Sequence, residues 1–193
     1  DLEAFGDNNF CKELDDLGLV IDWVVNKFTN SKITLFGHSR GGTISILKSA
    51  EDDRISNVTS WASPSDFLAK LPVYEKANKW KESNVAYIYN GRTKQNMPLY
   101  YQFYENCIAN ADRLNIKNAV INMQVPHLHV HGDADPTVLI DEAHNIKSWN
   151  SKTHLHIIKG GNHVFDGCHP YDLIAFPKDL KDAIDTTIDF LKG

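Results

Sequence analysis

The stretch Ile33–Gly42 (Ile-Thr-Leu-Phe-Gly-His-Ser-Arg-Gly-Gly) constrains the fold more than any other part of the chain. A short apolar run, Ile33 to Phe36, leads directly into Gly37-His38-Ser39-Arg40-Gly41, and Thr43–Ala50 reads as a helix. The spacing Gly-x-Ser-x-Gly between a strand and a helix describes a sharp turn with the serine at its apex. Such a turn holds the serine in a strained conformation, and a Cβ at Gly37 or Gly41 is expected to crowd the strand or the helix. The hydroxyl then projects off the end of the sheet, over the positive end of the following helix. The backbone N–H of Arg40 is aimed there at an oxyanion.

The residues on either side supply the rest of an α/β unit. From Cys11 to Phe28 the apolar positions Leu14, Leu17, Ile21, Val24 and Phe28 recur every three or four residues, with Val20, Trp23 and Val25 widening the expected buried face. Asp1–Asn9 is polar and reads as a loop. Val58–Ala62 and His127–His131 read as further strands, His154–Ile158 as the last one, and Leu139–Trp149 and Leu180–Leu191 as helices. Together they predict a mainly parallel sheet flanked by helices.

Between the second and third strands this rhythm stops. The expected organisation is a core of residues 1–63 and 127–193, with 64–126 inserted as a cap. The insertion holds six of the seven tyrosines and eight Lys/Arg against five Asp/Glu. Val85–Tyr89 and Met97–Tyr101 flank a polar turn at 91–96 and predict a hairpin, followed by helices over Tyr100–Leu114 and Lys117–Met123. Ser63-Pro64 leaves the core just after a strand end, the edge that also carries Ser39. Some of the insertion's aromatics are therefore expected to line the substrate pocket, with His38 as a further substrate contact.

A serine hydroxyl becomes a nucleophile when a base takes its proton and an acid orients that base. Asp135 follows the His127–His131 strand across a turn at Gly132, and His163 follows the last strand across Gly160-Gly161. In a parallel sheet the carboxyl ends of the strands share one edge, so Ser39, Asp135 and His163 are expected to meet there. Asp133 and Asp66 are the alternative acids. His129-Val-His131-Gly-Asp133 also begins a histidine-rich metal pattern, but Ala134 stands where its next histidine would be. Strand histidines have a second reading, as buried, hydrogen-bonded residues.

The segments Gly37–Gly42, His131–Val138 and Gly160–Phe165 resemble the α/β-hydrolase superfamily, most closely its bacterial serine esterases of the dienelactone-hydrolase and prolyl-oligopeptidase-like kind. The resemblance runs from the Cys11 helix to the C-terminus and covers the C-terminal part of that fold. It implies Ser39 as nucleophile, His163 as base, Asp135 as acid and the Arg40 N–H as one oxyanion donor. It also implies hydrolysis of a small carboxylic ester through an acyl-enzyme, without cofactor or metal. Amide or peptide hydrolysis by the same triad is the runner-up, ahead of a metal-dependent hydrolase or a non-catalytic binding protein of this fold. The four core strands match the fifth to eighth of the family. Upstream sequence is therefore expected to supply the earlier strands and the second oxyanion donor.

Composition narrows the remaining classes. A chain of 193 residues with 42% hydrophobic and 23% charged residues suits a soluble globular protein. The formal net charge of −5 argues against nucleic acid or an anionic membrane surface as partner. Cys11, Cys107 and Cys168 match no metal spacing; free thiols in a reducing, cytoplasmic compartment are the first reading and a single disulfide the alternative.

Overall fold

The computed structural model describes residues 1–91, 93–172 and 174–193. Its elements in chain order are α1 (Leu2–Gly6), α2 (Phe10–Lys27), β1 (Ile33–His38), α3 (Arg40–Glu51), β2 (Ile55–Trp61), α4 (Glu75–Ser83), β3 (Val85–Asn90), β4 (Gln95–Tyr100), α5 (Gln102–Ala109), α6 (Ile116–Asn122), β5 (His127–Gly132), α7 (Ile140–Trp149), β6 (His154–Ile158) and α8 (Lys178–Lys192). They group into two compact units, one of residues 1–23 with 67–115 and the other of 24–66 with 116–193. In the first unit α1 joins the segment that contains β4, and in the second α6 packs on α3 and α7.

In the first unit the expected N-terminal loop is a helical turn. The Asp1 carboxylate accepts from the N–H of Glu3 and Ala4, which satisfies donors that a helix start leaves open. Gly6 sits against the Tyr100 ring so closely that a Cβ would lie 2.8 Å from it. Asn9 Nδ2 donates to Gln102 Oε1 at 2.8 Å, and Gln102 Nε2 to the Asn8 carbonyl at 3.0 Å. Phe10 stacks on Phe67 at 3.9 Å and meets Phe103 edge-on, the aromatic pairing that gives this unit its small core. The inner stripe of α2 is narrower than its sequence suggests: Phe10, Cys11, Leu14 and Ile21 are buried, whereas Val20, Trp23, Val25 and Phe28 are exposed. β3 and β4 form the expected antiparallel hairpin, with Val85 opposite Tyr100 and Asn90 opposite Gln95. Arg92, in the expected turn, lies outside the described residues.

The second unit carries a four-stranded sheet in the order β1-β2-β5-β6, and every pairing is parallel. The strands lie side by side in chain order. β1 is an edge strand among the described residues, and its Phe36 is 54% exposed. One face of the sheet packs under α8 through Trp61, Ala62, Leu128, Val130, Ile158, Phe165 and Ala183. Trp61 Nε1 donates to Thr187 Oγ1 at 3.0 Å, which ties β2 to that helix. The three cysteines are free thiols. Burial pushes the Cys107 thiol up to about 12. No helix among the described residues is long and apolar enough to cross a membrane.

β5 is buried along its whole length although three of its six residues are histidines. Burial holds their rings neutral: it drives the pKa of His127 from 6.5 down to about 3, that of His129 well below its ordinary value, and that of His131 lower as well. Between pH 6.5 and about 3 the unfolded chain therefore binds a proton at His127 that the folded chain refuses. Stability is complete above the unfolded pKa and falls as the pH drops, by about 1.4 kcal/mol per pH unit from one such ring. Urea unfolding should thus show a midpoint that falls from about pH 7 to about pH 5, more steeply than one histidine explains. A midpoint unchanged over that range would contradict the buried neutral rings.

Candidate active site

Ser39 stands between β1 and α3 with φ 53° and ψ −125°, a conformation that costs about 1–3 kcal/mol in an L-residue. Two neighbours hold it there. Its N–H donates to the Trp61 carbonyl at 2.7 Å, extending the β1–β2 ladder past the strand end. Its carbonyl accepts from the N–H of Gly42 and Thr43, at 3.1 and 3.3 Å, as the first turn of α3 forms. Arg40 opens that helix, so its peptide lies at the positive end of the dipole.

The turn needs its glycines at Gly37 and Gly42. A Cβ at Gly37 would lie 2.3 Å from the Gly41 backbone. At Gly42 it would meet Ser63 Oγ at 2.0 Å and the Gly37 carbonyl at 2.8 Å. Gly41 corrects the expectation from sequence, since nothing lies within 4 Å of its Cβ position. The reason is local: Gly41 is on the outer side of the first helical turn, and Gly42 faces the sheet.

The acid and base loops are built against each other. Gly132 ends β5 so near the next loop that a Cβ would sit 2.1 Å from the Gly161 carbonyl oxygen. Ala134 N–H donates to that carbonyl at 3.1 Å, and Asp133 N–H to the Ile158 carbonyl at 3.1 Å. Asp133 Oδ1 accepts from Gly160 N–H at 2.6 Å, which makes Asp133 a clasp between the loops. Asn162, whose role no sequence pattern marks, braces the histidine loop: its Oδ1 accepts from Val164 and Asp166 N–H, and its Nδ2 donates to Asp166 Oδ1. Phe165 anchors the loop from below, fully buried and edge-on to Trp61 at 5.5 Å.

These constraints bring Ser39, His163 and Asp135 into line. His163 Nε2 is 3.1 Å from Ser39 Oγ, and His163 Nδ1 is 2.7 Å from Asp135 Oδ2. Asp135 is 4% exposed, and its Oδ1 accepts from the N–H of Thr137 and Val138 at 2.7 and 2.9 Å. Burial acts against its charge, but the Val138 N–H, His163 and the Thr137 N–H outweigh it and hold the carboxyl below the usual range. His163 Nδ1 is thereby engaged by Asp135, not by Asp133 or Asp66. An imidazole held at Nδ1 by a carboxylate and facing a hydroxyl at Nε2 can take up that hydroxyl's proton.

His38 is half-buried, and its Nε2–H donates to the His163 carbonyl at 2.7 Å, with the two rings 4.8 Å apart. Burial lowers its pKa. Its contact in this structure is therefore with the histidine loop. His129 and His131, candidates for a metal in the sequence, are hydrogen-bonded within the sheet. No cluster of three His, Cys, Asp or Glu residues suited to a metal occurs among the described residues.

The glycine geometry gives a paired test. Gly42→Ala should destabilise the chain by about 1–3 kcal/mol through overpacking. Gly41→Ala should be neutral or stabilising by up to about 1 kcal/mol, because the site is open and helical. Thermal unfolding of the two variants side by side checks the assignment, and equal losses would refute it.

No family model matches the chain. A 76-residue segment is 28% identical to the biotin biosynthesis bifunctional protein BioHC of Cellvibrio japonicus (strain Ueda107), covering 39% of this chain and 15% of that protein. Among solved structures, the esterase domain of a Rhodothermus marinus protein superposes with a TM-score of 0.60 at 17% identity, over 94% of this chain and 66% of that one. The monoacylglycerol lipase of Paleococcus ferrophilus gives 0.68 at 15% identity, over 96% and 76%. The α/β hydrolase GrgF of Penicillium sp. sh18 gives 0.67 at 17% identity, over 97% and 73%. The chain thus spans about two thirds to three quarters of these structures. With its parallel sheet, its flanking helices and these superpositions over nearly all its length, the chain has the α/β-hydrolase fold.

Proposed function

We propose that the protein is a serine hydrolase that cleaves a small carboxylic ester through an acyl-enzyme. The observation that carries this reading is the unbroken hydrogen-bonded line from Ser39 Oγ through His163 to Asp135. Its resemblance in fold to an esterase domain and a lipase supports the same class of chemistry.

In the proposed reaction Ser39 Oγ attacks the ester carbonyl carbon as its proton passes to His163 Nε2. The carbonyl π electrons move onto oxygen, and the Arg40 N–H at the start of α3 faces that charge. Collapse of the tetrahedral intermediate breaks the bond to the alcohol oxygen, which takes the proton from His163. Water then repeats the sequence: His163 accepts its proton, its oxygen attacks the acyl carbon, and Ser39 leaves with the proton returned. Asp135 keeps Nδ1–H in place and stabilises the imidazolium throughout. His38, through the His163 carbonyl, holds the base in register with Ser39.

A fluorophosphonate probe should form an adduct that maps to Ser39, and a panel of ester and amide substrates should show turnover on esters. Ser39→Ala should lower kcat about a millionfold, and Asp135→Asn about ten-thousandfold because the imidazole survives without its orienting partner. Asp133→Asn and Asp66→Asn should be mild by comparison. An adduct elsewhere, or ester turnover retained in Ser39→Ala, would overturn the reading. Equal loss in Asp133→Asn with activity kept in Asp135→Asn would reassign the acid.

A further inference from the structure

Behind Asp135, inside the sheet, lies a second line of polar groups that the proposed reaction does not use. Thr153, His127, Ser60, His129 and His131 are all fully buried, and each is hydrogen-bonded to the next. His131 ends the line on the Val138 carbonyl, with Nε2 2.9 Å from that oxygen.

That last contact determines the others. A carbonyl oxygen only accepts, so His131 Nε2 carries a proton. The three rings are neutral, since burial disfavours their charged forms. A neutral imidazole has one N–H, which leaves His131 Nδ1 bare to accept from His129 Nε2–H at 3.1 Å. His129 Nδ1 is then bare and accepts the Ser60 hydroxyl proton at 2.7 Å. With that proton committed, Ser60 Oγ accepts from His127 Nε2–H at 2.8 Å. His127 Nδ1 in turn accepts from the Thr153 hydroxyl at 3.2 Å. Every donation runs the same way, from Thr153 toward the 135–138 turn.

At that turn the Val138 peptide is held from both sides. Its N–H donates to Asp135 Oδ1 at 2.9 Å, and its carbonyl accepts from His131. His131 Nε2 also lies 3.7 Å from Asp135 Oδ2, the oxygen that meets His163. Other charged or titratable groups acting on His131 are His163 and Glu142. We infer that His131 is a positioning residue for Asp135, and that Ser60, His129 and His127 fix the tautomer that lets it act. This inference rests on the reading of Asp135 as the acid that orients His163.

The first test is spectroscopic and needs no substrate. In protein labelled with 15N-histidine, long-range 1H–15N correlations at neutral pH should show His127, His129 and His131 all as Nε2–H tautomers. Any of the three in the Nδ1–H form, or as an imidazolium, would overturn the inference. The second test compares His131→Leu, which removes the donor, with His131→Gln, which keeps an N–H at similar reach. In the leucine variant the low-field Nδ1–H proton of His163 should shift or broaden. kcat on an ester should fall about tenfold with KM nearly unchanged. The glutamine variant should recover most of both. A leucine variant that keeps the low-field proton and the full kcat would overturn the inference. Should that variant fail to fold, Ser60→Ala probes the line from its middle, where altered His129 15N shifts support it and unchanged shifts overturn it. If the low-field proton responds as expected but no variant or wild type ever turns over an ester or takes the fluorophosphonate, the positioning role stands and the hydrolase reading falls.

Discussion

Parallel pairing of its four core strands is what gathers this protein's chemistry at one edge of the sheet. Each of the four strands must run in the same direction, so every connection has to leave at one edge and return at the other. The carboxyl ends of β1, β5 and β6 therefore lie in a row, and the three residues that follow them meet although 124 positions separate Ser39 from His163. Antiparallel strands would have sent alternate loops to opposite edges. The neighbouring ends are then fitted by removing side chains: Gly37 under Gly41, Gly42 against Ser63, and Gly132 under Gly161. Gly37 and Gly132 approach backbone and Gly42 approaches the Ser63 hydroxyl, each closer than a Cβ would allow.

The elements on this row were the most legible from sequence because each is coded locally. An apolar run followed by Gly-x-Ser-x-Gly has few other meanings, and Asp135 and His163 stand just beyond runs that read plainly as strands. The four strands and the helices between them follow from the same periodicity. What stayed hidden depended on partners distant in sequence. Gly41 and Gly42 are indistinguishable until the sheet shows which of them faces Ser63. Asn162 as a brace and His38 as a donor to the His163 carbonyl require the folded loop. α1 forms in a polar stretch because its Asp1 cap and its packing on Tyr100 outweigh that composition. On α2, Val20, Trp23 and Val25 fit a helical stripe by spacing, yet burial selects Phe10, Cys11, Leu14 and Ile21.

β5 shows a different limit. Its alternation His-Leu-His-Val-His is open to two readings, a metal pattern or buried hydrogen-bonded rings, and all six of its residues are buried; what the sequence leaves out is which partners the rings find. A side chain's polarity tells whether it needs partners, and water is only one of the partners available. Ser60 from β2 and Thr153 from the loop before β6 supply the others, and neither carries any mark in the sequence that distinguishes it from a surface residue.

The same alternation also governs how the sheet can assemble. Leu128 and Val130 face the apolar layer under α8, and the histidines face the other way. Sliding β5 by one residue would exchange these two sets, because side chains along a strand alternate with period two. Three imidazoles would then enter a layer of Trp61, Ile158 and Phe165, where the Thr187 hydroxyl is already engaged by the Trp61 N–H and the Ala183 carbonyl. Each unsatisfied ring would cost about 1–3 kcal/mol, a combined penalty comparable to the whole stability of a small domain. An all-apolar strand at the centre of this sheet would tolerate the slip far better. The histidine column thus works as a key that rejects any slip of β5 by an odd number of residues.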